Sequence, residues 1–433
     1  MAENVLGYAR AACQTPGYCL LDRRLIQITE YYGMVLKTIV RFLVIAFCGL
    51  MLTGAAEAVE TKKKARRRTT SRASAAVVKK AIPASAVKAR RSTLSKAAVA
   101  RRRRPVRSFW TEPTYADATI GDEVEGEDPV IRRAAVEALG PYNGTVVVAD
   151  PSNGRILTVV NQRLALKSGF QPCSTIKLVA ALAALSEGII DRDTMLRLYG
   201  RKKMNLTEAL AHSNNPYFAS LGVKLGYERV AYYARLFGLG ERAGLNIEGE
   251  QPGVFPAAAT KDGGVGMMTS FGEGISLTPL ELTGLLVSMA NGGTLYYLQY
   301  PRSEREINEF IPRIKRHLDI AQWLPEIKPG MLAAVEYGTA RRAHYDNNEP
   351  ILGKTGTCTD NRTHLGWFGS FNDVGRNKLV VVVLLTGGRP VNGPVAAGIA
   401  GGVYKNLSGQ DYFARSRSLS PYGLVSTQSC CAQ

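Results

Sequence analysis

An α+β fold is predicted: an antiparallel sheet built from both ends of one domain, with a helical subdomain inserted between them. Three observations predict it. Two β-branched runs, Thr145–Asp150 and Arg155–Val160, stand early in the globular part of the chain. Three further strand-like runs, Ile351–Cys358, His364–Phe371 and Lys378–Leu385, stand late and are joined by short polar turns, so they should pair antiparallel. Most of the sequence between the two groups carries helix-like apolar spacing. The 433 residues suffice for one large domain or two ordinary ones, and no internal repeat is visible.

Each element has a local reason. Pro151-Ser152-Asn153-Gly154 is a turn signal between the first two runs, which makes them a hairpin. Leu178–Leu185 is apolar on every face and is followed by Gly188, as expected of a helix buried all round. Thr207–Leu225 and Glu228–Phe237 carry helical periodicity. At Thr278-Pro279-Leu280-Glu281, threonine and glutamate have capping-box spacing, with proline at the first helical position. That helix should run to Ala290 and stop at Asn291-Gly292-Gly293. Val395–Leu407 reads as a closing helix.

The net charge of +19 invites a nucleic-acid reading, but its placement argues against one. Between Thr61 and Arg107 there are 18 Lys or Arg and no Asp or Glu, which leaves the rest of the chain nearly neutral. This Ala/Ser/Arg/Lys stretch has too little apolar surface to offset chain entropy. We read it as a solvated basic linker, with electrostatic binding to anionic lipid or wall polymer as the alternative. Nucleic acid is not an expected partner.

Residues 34–58 have the parts of a signal peptide or membrane anchor. Lys37 and Arg41 flank an apolar core at Phe42–Leu52, and Ala56-Glu57-Ala58 is a small-x-small cleavage pattern. The core is short for a spanning helix, and six cations at Lys62–Arg68 oppose the positive-inside tendency. A start at Met34 would make residues 1–33 an over-extended beginning. The expected organisation is then 1–33, the signal or anchor at 34–58, a basic disordered linker at 59–130, a catalytic domain at 131–411 and a tail at 412–433. The expected location is outside the cytoplasmic membrane, periplasmic or anchored and facing outward.

The seven cysteines contain no C-x-x-C pair and the four histidines no H-x-x-x-H pair, so no zinc site is expected. Three short motifs carry the chemistry: Ser174-Thr175-Ile176-Lys177, Ser213-Asn214-Asn215 and Lys354-Thr355-Gly356-Thr357. Alone, S-x-x-K is unspecific; Ser85-Ala86-Val87-Lys88 in the linker also matches. Ser174 differs by its place at the start of the buried helix, where free N–H groups favour negative charge. Lys177, three residues on, shares its face, and a desolvated lysine beside other cations can act as a base. No G-x-S-x-G elbow surrounds any serine, which counts against a triad using His212. Position 348 is Asn, so Gly353-Lys354-Thr355 does not end a phosphate-binding loop.

Together the S-x-x-K, S-x-N and K-T-G motifs resemble those of penicillin-binding protein transpeptidases and serine β-lactamases. Phe237-Gly238-Leu239-Gly240, Gly244–Glu250, Gly272–Leu282, Ala290–Gly293 and Gly338-Thr339-Ala340 extend the resemblance over roughly residues 140–407. It implies a β-lactamase/transpeptidase-like fold and a D,D-transpeptidase or carboxypeptidase acting on D-Ala-D-Ala stem peptides through a serine acyl-enzyme. In that reading Ser174 is the nucleophile and Lys177 its base. Ser213 relays protons, and Asn215 donates to substrate and to Lys177. Lys354, Thr355, Gly356 and Thr357 bind substrate, Lys354 by attracting its carboxylate. The N–H groups of Ser174 and Thr357 form the oxyanion hole. Peptidoglycan stem peptides and β-lactams are the implied partners, and no cofactor or metal is implied.

The chain also departs from the family. Only 39 residues separate Ser174 from Ser213, no glycosyltransferase domain is expected before it, and the E-x-x-L-N motif of class A lactamases is missing in register. The last departure favours transfer over hydrolysis. A serine β-lactamase, a penicillin-sensing domain and an inert polyanion-binding wall protein remain the alternatives. In certain class A carbapenemases cysteines at the places of Cys173 and Cys358 form a disulfide. The resemblance therefore implies a pairing here, with two free thiols as the other outcome.

Overall fold

A computed structural model describes residues 109–198, 200–373 and 377–413 of the chain. The segment 34–58, the residues before it, the basic stretch and the tail from 414 lie outside the described residues. Helix α1 (Pro129–Leu139) starts at Asp128, whose carboxylate accepts from the N–H groups of Val130 and Ile131. Strands β1 (Gly144–Ala149) and β2 (Ile156–Val160) form the hairpin expected around Pro151–Gly154. Short helix α2 (Gln162–Ala165) leads to a 3-10 turn at Cys173–Ile176 and directly into α3 (Lys177–Ser186). A small ribbon of β3 (Leu196–Arg197) and β4 (Lys203–Met204) precedes α4 (Leu206–Ala211), α5 (Asn215–Leu236), α6 (Gly264–Phe271) and α7 (Pro279–Asn291). Next come β5 (Thr294–Tyr297), α8 (Glu304–Asn308), β6 (Arg313–His317), which pairs with β5, and α9 (Leu324–Glu336). Strands β7 (Ile351–Asp360), β8 (Thr363–Asn372) and β9 (Val380–Gly387) and helix α10 (Gly393–Ser408) close the domain.

The main sheet has the order β2-β1-β9-β8-β7, every neighbour antiparallel. It is thus assembled from both ends of the domain, as the sequence predicts. β9 joins the halves: Val147 sits opposite Val382, and Trp367 opposite Leu384. Its run Val380–Leu385 is apolar without alternation because both faces are covered. Val380, Val382 and Leu384 enter the core shared with α3 and α7, whereas Val381, Val383 and Leu385 enter the core shared with α1 and α10. β7 is an edge strand of this sheet.

Several boundaries differ from expectation. The helix expected over 207–225 is interrupted. α4 ends at Ala211, a turn spans 212–214, and α5 begins where the Asn214 carboxamide accepts from Tyr217 N at 2.9 Å. α5 then passes through the expected gap and bends at Gly226, whose φ of 75° suits glycine. The sequence reading did not assign α9, although its buried residues Leu324, Ile327, Met331 and Ala334 are spaced by three and four.

The linker boundary at 130 also falls earlier, because residues 109–128 already pack on the domain. Asn143 N donates to Thr114 O at 3.0 Å, and Tyr115 bridges to Tyr142. The acidic patch supplies buried partners: Arg132 pairs with Asp122 at 2.7 Å and Glu127 at 3.3 Å. Asp122 also accepts from Asn161 N and Gln162 N, and Glu127 from Thr158 Oγ1 and Val159 N. These carboxylates cap and pair folded backbone, a role composition alone does not reveal. Among the described residues, no helix is long and apolar enough to cross a membrane.

Two cross-ties join segments distant in sequence. Glu281, 2% exposed, completes the expected capping box by accepting from Thr278 N at 2.7 Å. It also accepts from Gly240 N at 2.9 Å and Gly253 N at 3.0 Å, so one carboxylate gathers two loops onto the start of α7. Burial pushes its carboxyl up to about 7 against the pull of these donors. The second tie is a disulfide between Cys173, in the turn before α3, and Cys358, on β7, with 5.5 Å between Cα atoms. That distance lies in the usual range for a bridge.

Two outcomes follow from these ties. Glu281→Ala leaves three backbone N–H groups without their acceptor and should cost about 3 kcal/mol or more of stability. Glu281→Gln, which keeps an acceptor oxygen, should cost less; equal urea midpoints for wild type and the alanine variant would refute the tie. The disulfide closes a loop with a sequence separation of 185. Loop-entropy arithmetic gives roughly 5 kcal/mol, discounted to ~2–4 for residual structure in the unfolded chain. Cys358→Ser should lower the denaturation midpoint accordingly, and an unchanged midpoint would remove the bridge as a stabilising element.

Candidate active site

The three motifs come from distant parts of the chain, and the fold brings them to one place. Ser174 lies in the 3-10 turn and Lys177 is the first residue of α3, so the spacing of three puts both on one side of the turn. Ser213 sits in the break between α4 and α5 with φ 52°, a left-handed conformation that directs the chain into the cap of α5. Asn215 is the first residue of α5. Lys354, Thr355, Gly356 and Thr357 lie on edge strand β7. Gly356 explains the close approach of this strand to the turn. A Cβ there would stand 3.0 Å from Pro172 O and 3.3 Å from Cys173 Cβ.

Lys177 is fully buried and is the hub. Its Nζ lies 2.9 Å from Ser174 Oγ, 2.8 Å from Ser213 O, 3.0 Å from Ser213 Oγ and 2.6 Å from Asn215 Oδ1. Four oxygens surround a nitrogen that carries at most three protons, so they cannot all accept from it at once. A serine hydroxyl is the group among them able to donate back. Phe218 closes another side, its ring centre 5.5 Å from Nζ. Burial first, and the charge of Lys354 second, hold Lys177 well below the usual lysine range.

Lys354 also is fully buried, and burial pushes it down to about 7. Its Nζ donates to Ser213 Oγ at 2.8 Å and to Thr355 O at 2.9 Å. The Ser213 hydroxyl therefore bridges the two lysine amines. Lys354 is turned inward onto Ser213, because a fully desolvated ammonium needs internal acceptors. One expectation is corrected. Asn215, expected to donate to Lys177, accepts from it instead.

The hydroxyls of the K-T-G strand are held from outside the motif. Thr355 Oγ1 lies 2.7 Å from Thr339 Oγ1, and Thr357 Oγ1 accepts from Gly393 N at 2.8 Å. Trp367 on β8 donates from Nε1 to Gln171 O at 3.0 Å and so fastens the segment leading into the turn that holds Ser174. Of these supports only Thr339 lies in a segment that carries the family resemblance. Phe218, Trp367 and Gly393 carry no local signal, since their positions depend on packing between distant elements. Among the described residues, no group of three or more His, Cys, Asp or Glu could hold a metal ion. The assembly can pass a proton between a half-exposed serine and a buried amine, and a second serine links that amine to another.

Residues 144–405, more than half of the chain, match the family described as "Penicillin binding protein transpeptidase domain". Stage V sporulation protein D of Bacillus subtilis (strain 168) is 28% identical over 312 residues, covering 62% of this chain and 48% of that protein. Peptidoglycan D,D-transpeptidase FtsI of Escherichia coli (strain K12) is 23% identical over 312 residues, covering 61% and 52%. The chain thus spans about half the length of these curated relatives. In fold it is similar to the crystal structure of PBPA from Mycobacterium tuberculosis, with a TM-score of 0.55 at 23% identity over 65% of this chain and 81% of that one. With its sheet, its three assembled motifs and this match in view, the chain belongs to the penicillin-binding protein transpeptidase family.

Proposed function

We propose that this chain is a D,D-transpeptidase that acts on D-Ala-D-Ala stem peptides of peptidoglycan through an acyl-enzyme on Ser174. The observation that carries the reading is the fully buried Lys177 amine, 2.9 Å from Ser174 Oγ and held well below the usual lysine range. Such an amine is neutral in a larger fraction of molecules and can accept the hydroxyl proton.

The substrate lies along the open edge of β7 and adds a strand by main-chain hydrogen bonds. Ser174 Oγ attacks the penultimate carbonyl while its proton passes to Lys177. The N–H groups of Ser174 and Thr357 hold the developing oxyanion, a contribution of about 3–4 kcal/mol per donor in comparable sites. The C–N bond then breaks. The leaving amine takes a proton from Lys177 through Ser213, and D-alanine departs. An amine of a neighbouring stem, or water, attacks the ester, and Ser174 regains its proton. Lys354 supplies positive charge behind Ser213, and the Asn215 amide group is available to a substrate carbonyl.

This chemistry belongs outside the cytoplasmic membrane, and the Cys173–Cys358 disulfide suits an oxidising compartment. The basic stretch would hold the domain near anionic lipid or wall polymer. Removal of residues 1–108 should abolish salt-sensitive binding to anionic vesicles or wall polymer and leave penicillin labelling intact. Retained binding would discard that role.

Labelling with a fluorescent penicillin tests the central reading. Ser174 should carry a stable adduct by mass spectrometry, and Ser174→Ala should lose it while remaining folded. Rapid turnover would instead identify a lactamase, and an adduct elsewhere would refute the nucleophile assignment. Lys177→Ala should slow acylation by at least ~10²-fold. The pH dependence has a definite sign. Acylation needs neutral Lys177, so its rate should climb with pH along a limb well below the ordinary lysine range. Lys354→Met removes a neighbouring positive charge, raises the Lys177 pKa and moves that limb to higher pH. A limb that stays in place would reject the coupling.

A further inference from the structure

One residue outside the three motifs ties the break that holds Ser213 to the K-T-G strand. Helix α9 packs closely on α4, where a Cβ at Gly330 would stand 2.8 Å from Leu210 Cβ. The chain leaves α9 at Glu336, and Gly338 N donates back to Ala333 O at 2.9 Å. Gly338 lies against the end of α4, since a Cβ there would stand 2.2 Å from Ala211 O. Thr339 then sends its two polar groups to different elements. Its N–H donates to Ala211 O at 3.0 Å, one of the carbonyls that the end of α4 leaves without a helical partner. Its hydroxyl meets Thr355 Oγ1 at 2.7 Å. Ala211 stands two residues before Ser213, and Thr355 directly follows Lys354 and accepts from its Nζ at 2.9 Å.

Ser213 Oγ has to lie 3.0 Å from Lys177 Nζ and 2.8 Å from Lys354 Nζ at once. It does so only while the break between α4 and α5 keeps a fixed separation from β7. We propose that Thr339 is a positioning residue for acyl transfer, which sets that separation by holding Ala211 with its backbone and Thr355 with its hydroxyl. This rests on the acyl-transfer reading above. What it protects is a proton path. Ser174 Oγ gives its proton to Lys177 as the C–O bond forms. Lys177 passes a proton to Ser213 Oγ, and Ser213 gives its own to the leaving nitrogen as the C–N bond breaks. Each transfer needs heavy atoms about 2.6–3.2 Å apart. A displacement of about 1 Å interrupts the path, and misplacement of that size can cost about 10²-fold.

A loosened strand has a second effect. Among the described residues, Lys354 is the charged group that faces Lys177. The other neighbours of Lys177, Ser174, Ser213, Asn215 and Phe218, are neutral, and His212 and Glu208 pair with each other. Withdrawal of Lys354 removes a positive charge and admits water, and both raise the Lys177 pKa.

The test follows acylation of the full chain by a fluorescent penicillin. Rates against concentration, taken across a pH series, separate non-covalent binding from the acylation step. Thr339→Val keeps the shape and the backbone N–H and removes the hydroxyl. Its acylation rate constant should fall about 10- to 100-fold, with non-covalent binding little changed. Its rising pH limb should move to higher pH, the direction expected of Lys354→Met. Thr339→Ser keeps the hydroxyl and should restore both the rate and the limb. Thr355→Val breaks the same bond from its other end, so the double variant should be little worse than either single one. Thr355→Val also carries the test if Thr339→Val does not fold. A wild-type rate in Thr339→Val overturns this inference alone. So does a slowed rate with the limb in place, which would reduce Thr339 to a stabilising role, and so does a serine variant that restores neither. A wild type that gains no adduct on Ser174 overturns the acyl-transfer reading and this inference with it.

Discussion

Two lysine amines share one serine hydroxyl inside this protein, and the rest of the site is arranged around that fact. Lys177 and Lys354 are both fully buried, and Ser213 Oγ lies 3.0 Å from one Nζ and 2.8 Å from the other. Two unpaired ammonium groups in such a place would carry a heavy desolvation cost in addition to their mutual repulsion. The protein meets this in two ways. It lowers both proton affinities, and it surrounds each nitrogen with oxygens: Ser174, Ser213 and Asn215 for Lys177, and Ser213 with the Thr355 carbonyl for Lys354. Among the described residues, no carboxylate bonds to either amine. A carboxylate there would raise the lysine pKa and keep the amine protonated.

Keeping these groups in register is a problem of scaffold. Ser174 and Lys177 belong to a turn and a helix, Ser213 and Asn215 to a break between two helices, and Lys354 to a strand at the edge of the sheet. These three places lie far apart in the sequence. The disulfide fastens the turn to the strand within a few residues of both Ser174 and Lys354. Gly356 lets the two backbones approach, and Trp367 fastens the segment before the turn. Behind them, α3 is apolar on all sides and cannot shift without opening the core. Positional precision at the reacting atoms is thus supplied by buried ties rather than by the surface of the cleft.

The acidic segment at 122–128 shows how composition can mislead. Next to a long basic stretch it reads as the end of a solvated linker. In the fold the carboxylates of Asp122 and Glu127 are consumed by Arg132 and by the backbone N–H groups of Val159, Asn161 and Gln162. Charge density alone does not distinguish a solvated acid from a buried cap. The difference lies in whether unpaired N–H groups stand within reach, and that is set by where β2 and α2 pack.

Much of the architecture was legible because its causes are local. Unbroken β-branched runs marked strands covered on both faces, the all-apolar run at Leu178–Leu185 marked a central helix, and the Thr278 to Glu281 spacing marked a capped helix start. The three motifs could be read too, since each needs only a short spacing on one element. α9 escaped notice although its periodicity was present, and the single helix expected over 207–225 proved to be two, because Asn214 caps a second one. What the sequence by itself determined was therefore the element types, the three motifs and their family. Only the tertiary structure decided the direction in which Lys354 points, the acceptor role of Asn215 and the burial of the Asp122 and Glu127 carboxylates. Those depend on contacts between residues more than a hundred positions apart in the case of Lys354 and Ser213, and on solvent exclusion at Lys177, neither of which has a local signature.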